Sequence, residues 1–464
     1  MAEDRERNRL TRRITRYARV GANVGGVAAR MAGARLFGRA LGDQRNAVDL
    51  AAALGGLKGP LMKIAQMMAT VPDLLPPEYA EELQKLQSAA PPMGPAFVRR
   101  RMLAELGPGW EKRFRSFDAT PAAAASLGQV HRAVSLDGRD LAVKLQYPDM
   151  QSAVEADLSQ LGLILAVQRR LSPEIDTSEI TREMTDRLRE ELDYQHEAKN
   201  ARLYKIMLAD SPAVQVPDIS LDLTTRRLLT MGWLTGKPLL TQLDTPLEDR
   251  NRIATAMFRA WWFPFAQYGV IHGDPHLGNY TVFQETDGKG GAARPGGLNL
   301  LDYGCIRVFP PRFVRGVVEL YHGLRQGDDA RIAHAYESWG FRGLTRGAID
   351  SLNIWARFIY APLLDDRVRT IADGVAPQAY GRREVWEVKK SLKPHGPIRI
   401  PREFVLMDRA AIGLGSVMLH LRAELNFHRL FDTAVANFDE KALAARQAKA
   451  LKAAGLAEMI PKPE

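Results

Sequence analysis

The alternation of apolar and polar positions divides the chain into a helical first part, a strand-rich middle and a mainly helical remainder. Residues 10–42, with many small residues such as Gly21, Gly25 and Ala29, predict one helix and residues 46–69 a second. Leu74-Leu75-Pro76-Pro77 breaks that pattern, and either proline can open the next helix, where a missing N–H costs nothing. That helix runs through Glu78 to Gln87 with Glu81 and Lys85 one turn apart. Pro91-Pro92 closes the stretch, and residues 96–106 predict one more short helix. From about 115 the period changes. Ser126 to Ala133 and Leu141 to Gln146 predict strands joined by a Leu136-Asp137-Gly138-Arg139 turn. Long helical segments follow at 149–171 and 178–207, then two strands at 214–219 and 227–232 and a linker at 233–237. Beyond about 240 the pattern is mostly helical, with short strands at 280–283 and 298–301 around a flexible glycine-rich loop, 288–297. No internal repeat is present.

Length and composition narrow the class. The 464 residues suit a bilobal domain with extensions rather than one small domain. Apolar residues at 46% and charged residues at 25% are ordinary for a globular protein. The one cysteine, Cys305, excludes a disulfide framework and predicts a reducing compartment, expected to be the cytoplasm. No apolar run reaches the ~18 residues that a membrane span needs, and no secretory leader is predicted.

Charge is uneven. Of the formal +10, residues 1–40 contribute +7, from ten arginines against Glu3, Asp4 and Glu6. Such a basic arm is expected to be drawn to an anionic membrane surface, giving a peripheral location on its inner face. The remainder is nearly neutral, and without zinc-finger spacing or a recognition helix no nucleic-acid partner is expected. Oligomeric state is left open.

Four segments carry chemistry. Leu141-Ala142-Val143-Lys144 is an apolar strand ending in an inward lysine, suited to nucleotide phosphates. Before it lies an alanine-rich loop, Pro121 to Val130, where a kinase has glycines; alanine still allows close backbone approach but resists positive φ. Glu191, Asp193 and Glu197 supply acids on a predicted helix, with Asp193 and Glu197 one turn apart on one face. Glu197 is the expected partner of Lys144. His272-Gly273-Asp274-Pro275-His276-Leu277-Gly278-Asn279 sets Asp274 and Asn279 five apart, the separation of catalytic Asp and metal-binding Asn in a kinase loop. Asp302-Tyr303-Gly304 follows 23 residues after Asn279, behind apolar Leu298, Leu300 and Leu301, placing a carboxylate at a strand end where it can hold Mg²⁺. In this scheme Asp274 orients the attacking hydroxyl or accepts its proton, Asn279 and Asp302 hold the metal, and Lys144 contacts the phosphates of ATP. A transition-metal site of His272, Asp274 and His276 is the weaker alternative, because the glycines and Pro275 oppose a regular helix.

Taken together, these segments resemble the UbiB/AarF/ADCK family of atypical kinases linked to coenzyme Q. The resemblance rests on Ser126-Leu127-Gly128-Gln129-Val130-His131, Val143-Lys144-Leu145-Gln146-Tyr147-Pro148, Glu191/Asp193 with Glu197-Ala198, the 272–279 loop and Asp302-Tyr303-Gly304. It covers roughly residues 45–435. A family Lys-x-Gly-Gln motif reads here Lys63-Ile64-Ala65-Gln66, with alanine in place of glycine. The resemblance implies an α+β, protein-kinase-like bilobal fold with an N-terminal helical extension. Its expected divisions are a basic arm 1–45, an extension 46–114, an N-lobe 115–236, a mainly helical C-lobe 237–435 and a helical tail 436–464. Ala123, Ala124, Ala125, Ser126, Lys144 and Met231 are expected to bind the nucleotide. Lys63 and Gln66, met by Glu191 and Asp193, are expected to occlude the peptide groove. Implied are ATP and Mg²⁺ as cofactors, and isoprenoid-quinone intermediates or their biosynthetic enzymes as partners. A nucleotide-binding pseudokinase scaffold and a small-molecule phosphotransferase are the alternatives.

Overall fold

The computed structural model describes residues 93–462 except 126, 149, 152–153, 156–157, 159–184, 187–188, 286–292, 373–381 and 396–400. The helices expected at 10–42, 46–69 and 78–87, and with them Lys63 and Gln66, lie outside the described residues, as does Ser126. In chain order the elements are α1 (Pro95–Leu106), β1 (Phe114–Ala125), β2 (Gly128–Ser135), β3 (Asp140–Gln146), α2 (Tyr194–Met207), β4 (Val214–Gln215), β5 (Leu228–Gly232), β6 (Lys237–Pro238), α3 (Leu247–Tyr268) and β7 (Val270–His272). Then come β8 (Tyr280–Glu285), β9 (Arg294–Leu300), β10 (Ile306–Val308), α4 (Pro311–Gln326), α5 (Asp329–Ser338), α6 (Arg346–Tyr360), α7 (Arg382–Leu392), α8 (Arg402–Leu421), α9 (Phe427–Val435) and α10 (Glu440–Ala454).

These elements form two compact units. Among the described residues, the first comprises those between 93 and 158, between 185 and 194, and Leu223–Thr230; the second comprises Gln195–Asp222 and those between 231 and 462. The first unit is built on a sheet of order β1-β2-β3-β5. The β2–β3 hairpin turns where expected: Gly138 adopts φ 88°, a conformation that favours glycine, and its N–H meets the Ser135 carbonyl at 3.0 Å. The alanine-rich segment is not a loop. Ala123, Ala124 and Ala125 are strand residues opposite Val130, Gln129 and Gly128. Regular pairing satisfies the backbone groups of these small residues. Trp110, Phe114 and Phe117 pack edge-on at centroid distances of 5.2–6.3 Å, forming the small core beneath β1.

The second unit gathers around α3. Its residues Ile253, Ala254, Met257, Phe258, Trp261, Trp262 and Phe265 recur at helical spacing and are all buried. Trp262 meets Phe431 of α9 edge-on at 5.4 Å, and Phe258 lies 6.3 Å from Phe427. The helix stops at Gly269, whose φ of 62° is left-handed and whose N–H caps the Phe265 carbonyl at 2.8 Å. A Cβ there would stand 3.0 Å from the Phe309 carbonyl oxygen, so a tight backbone neighbour adds to the preference for glycine. The chain turns at once into β7, which pairs antiparallel with β10. Neither strand follows from the helical pattern beyond 240; both are three residues long, and their pairing is non-local. The glycine-rich loop is likewise shorter than expected, because Arg294–Leu300 is strand β9, paired with β8.

Candidate functional site

Two groups of candidate residues are brought together, one in each unit. In the second unit the sharp end of α3 delivers His272 from a fully buried strand. His272 is 1% exposed, stacked obliquely on Trp261 at 5.1 Å. Its Nδ1 accepts the Asp274 N–H at 3.1 Å, so its Nε2 carries the proton and donates to the Asp302 carbonyl at 2.8 Å. One imidazole therefore couples the Asp274 loop to the Asp302 turn. Both of its ring nitrogens are engaged within the fold, which argues against the transition-metal reading of this histidine. Nδ1 of His276 accepts the Gly278 N–H at 3.1 Å.

Asp274, Asn279 and Asp302 are half-buried, each on a buried support. Nδ2 of Asn279 donates to the Asp274 carbonyl at 3.2 Å, and the phenol of Tyr280 donates to the same oxygen at 3.1 Å. Burial, with Asp274 as a lesser cause, pushes the Tyr280 phenol well up, so it stays a donor. With its amide nitrogen directed at this carbonyl, Asn279 presents its oxygen on the other side, as a hard cation requires. Asp302 follows β9, and its Oδ1 accepts the Gly304 N–H at 3.0 Å. Tyr303, 0% exposed, donates to the Leu300 carbonyl at 2.9 Å and holds this turn in the core. The Asn279 amide and the Asp302 carboxylate, both half-buried, offer oxygen donors, the kind a hard cation such as Mg²⁺ takes.

Helix α2 brings Glu197 to the same unit. Glu197 is 3% exposed in the first turn, where a negative charge complements the helix dipole. One turn on, Asn200, 1% exposed, donates to the Tyr303 carbonyl at 3.0 Å. A further turn on, Tyr204 lies 5.9 Å from Tyr303 and 6.1 Å from His272. One face of α2 thus touches both the Asp302 turn and the histidine behind Asp274.

In the first unit Lys144 is 8% exposed on β3, facing inward as expected. Its Nζ lies 5.0 Å from the centre of the Tyr194 ring, a cation–π contact in a buried setting. Gly128, opposite Ala125, has no room for a side chain: a Cβ would meet the Leu145 carbonyl oxygen at 2.1 Å and the Tyr194 hydroxyl at 3.0 Å. Met231, 6% exposed, is on β5 just past the residues of that strand that belong to the first unit.

The acids need one correction. Residues 178–207 are not one helix. The chain turns at Glu191 and Leu192, and α2 starts at Tyr194, so Asp193 does not share a helix face with Glu197. The backbone groups that a continuous helix would use are taken by neighbours: the Leu192 carbonyl accepts from Nε2 of Gln146 at 3.1 Å, and the Tyr194 N–H donates to the Arg226 carbonyl at 3.0 Å. Lys144 and Glu197 belong to different units. Sequence reasoning passed over Tyr194 and Asn200. The signal for Asn200 was its place three residues after Glu197, and for Tyr194 an aromatic set inside an acidic run.

An inward lysine on an antiparallel sheet, and a His-x-Asp loop tied through its histidine to an Asp-Tyr-Gly turn, define a protein-kinase-like α+β chain. The chain belongs to the ABC1 atypical kinase-like family, whose domain matches residues 85–336, more than half of its length. It is 32% identical over 290 residues to Protein ACTIVITY OF BC1 COMPLEX KINASE 8, chloroplastic, of Arabidopsis thaliana, covering 61% of this chain and 37% of that protein. It is 28% identical over 291 residues to Atypical kinase COQ8B, mitochondrial, of Danio rerio, covering 62% and 45%. Among solved structures it resembles the Mycobacterium tuberculosis protein Rv3197, determined in complex with erythromycin, with TM-score 0.57, 27% identity and coverage of 84% of this chain and 96% of that one. The chain thus spans less than half the length of the two curated relatives.

Proposed function

We propose that this chain is a Mg²⁺- and ATP-dependent atypical kinase or ATPase that supports isoprenoid-lipid metabolism, ubiquinone in the first instance, at the inner face of a membrane. The observation that carries the reading is His272, whose two nitrogens bind the Asp274 N–H and the Asp302 carbonyl and so hold a candidate base and a candidate metal ligand in one frame. Asn279 and Asp302 would hold Mg²⁺, which supplies charge neutralisation between phosphate oxygens. Lys144, with Glu197 as its expected partner, would contact the phosphates, beside Ala123, Ala124, Ala125, Ser126 and Met231. Asp274 would orient the acceptor hydroxyl or a water. Names of relatives that include COQ8B support the quinone link. The determination of the similar protein Rv3197 in complex with erythromycin supports a site that takes a small molecule. Lys63 and Gln66, with Glu191 and Asp193, would exclude protein substrates.

The test is nucleotide binding and turnover by the full chain, with and without anionic liposomes. Wild type is expected to bind Mg-ATP and Asp302→Asn to lose turnover; a protein that binds no Mg-ATP, or unchanged turnover in the variant, rejects the reading. Removing residues 1–40 is expected to weaken liposome binding, most at low salt. Equal binding removes the membrane role. The second reading is a nucleotide-binding scaffold, favoured by alanines in strand pairing where a kinase has a glycine loop. Full rescue of a null strain by Asp274→Asn selects it.

A further inference from the structure

Gln129 and His131 are two apart on β2 and so share one face. Both are 0% exposed. A buried amide needs partners, and Gln129 has three. Its Oε1 accepts the Met93 N–H at 2.8 Å, and its Nε2 donates to the Met93 carbonyl at 3.2 Å and to Nε2 of His131 at 2.9 Å. The other nitrogen of His131, Nδ1, lies 2.8 Å from the Asp118 carbonyl, to which only an N–H can bind. Nε2 is then the lone-pair nitrogen, which allows the Gln129 amide one orientation. Burial draws His131 below the usual histidine range, in keeping with a neutral ring. Both backbone groups of Met93 are thereby bonded by one side chain, as a neighbouring strand would bond them.

That side chain belongs to the residue opposite Ala124. A second fastening lies nearby. Arg101 of α1, 3% exposed, donates from Nε to the Gln146 carbonyl at 3.2 Å and from Nη2 to the Tyr147 carbonyl at 3.3 Å. Those carbonyls follow Lys144 by two and three residues. Residues 93–101 are therefore bound at two points to the strands that carry Lys144 and pair with the alanines.

We propose that Gln129 is a positioning residue for the nucleotide, clipping the chain at Met93 to the strand that holds the alanine segment. Displacement of the chain at Met93 then distorts the β1–β2 hairpin, and nucleotide affinity depends on a residue that does not touch the nucleotide. This rests on the kinase-like reading above. Gln129→Leu removes the clip and keeps much of the volume. In the full chain it should weaken ATP binding about tenfold, the scale of losing buried hydrogen bonds, with kcat for ATP turnover at saturation within about twofold of wild type. Gln447→Leu is the control. That glutamine is equally buried and bonds the Tyr268 and Phe309 carbonyls, so it should lower thermal stability and leave ATP affinity unchanged. ATP affinity at the wild-type level in Gln129→Leu, or an equal loss in Gln447→Leu, overturns the proposal. Amide exchange without nucleotide decides independently: faster exchange at Met93 and at residues 122–131 in Gln129→Leu supports the clip, and unchanged exchange overturns it. A wild type that binds no ATP would instead count against the kinase-like reading, while the exchange result still judges the clip.

Discussion

Gly413 of α8 lies so close to Pro275 that a Cβ at position 413 would stand 2.0 Å from the proline Cγ. The loop that carries Asp274 rests on bare helix backbone. Alanine at a helical position usually stabilises by up to ~1 kcal/mol relative to glycine. Overpacking costs about 1–3 kcal/mol, so here the penalty should win. Gly413→Ala is expected to lower the melting temperature and to reduce ATP turnover at least about tenfold, because small displacements of reacting groups are costly. Thermal melts with steady-state kinetics check both, and a stabilised, active variant refutes the contact.

Asn200 ties the Glu197 helix to the Asp302 turn through the Tyr303 carbonyl. Asn200→Leu should cost about 1–3 kcal/mol by leaving that buried carbonyl unbonded. Asn200→Asp, which sets a carboxylate against the carbonyl, should cost more. Denaturant unfolding measures the cost, and titration of activity with Mg²⁺ should show a raised metal requirement in both variants.

Tyr194 supports Lys144 with its ring. Tyr194→Phe keeps that ring and should preserve ATP affinity closely. Tyr194→Leu should lose about 0.5–2 kcal/mol of support for the buried ammonium and weaken ATP binding accordingly. Parallel ATP titrations of the two variants separate the ring from the hydroxyl; equal behaviour of both speaks against the cation–π role.

His131 makes stability depend on pH with a definite sign. Its folded pKa lies below the ordinary 6.5, chiefly through burial, with the Asp118 carbonyl and carboxylate opposing. Phe117 stacks on the ring at 5.3 Å. The unfolded state therefore binds the proton more readily. The contribution of His131 is fully present above pH 6.5 and is lost as pH falls through the lowered folded value. Unfolding free energy measured from pH 7.5 to 5 should fall more steeply in wild type than in His131→Gln, and matching slopes would remove the effect.

Much of the candidate site was legible along the chain, for a local reason. Asp274 and Asn279 sit within one short loop, and Lys144 lies in an apolar strand, so residue type and spacing marked them. The β2–β3 hairpin was legible because its turn requires Gly138. The alanine segment was misread because strand pairing of small residues depends on a partner, and β2 supplies it. The helix expected through Asp193 was interrupted by bonds to Gln146 and Arg226, respectively 46 and 32 residues from Leu192 and Tyr194, which no local pattern encodes.

The order of motifs, the basic arm and the oxygen-bearing side chains of the candidate site were determined by the sequence itself, since each depends on residue type and short spacing. The tertiary structure decided which ring nitrogen of His272 carries the proton, that Asn200 reaches Tyr303, that Gln129 grips Met93 and that Gly413 makes room for Pro275. Each of these joins residues 30 or more positions apart, and burial makes each partner obligatory or each atom's volume decisive.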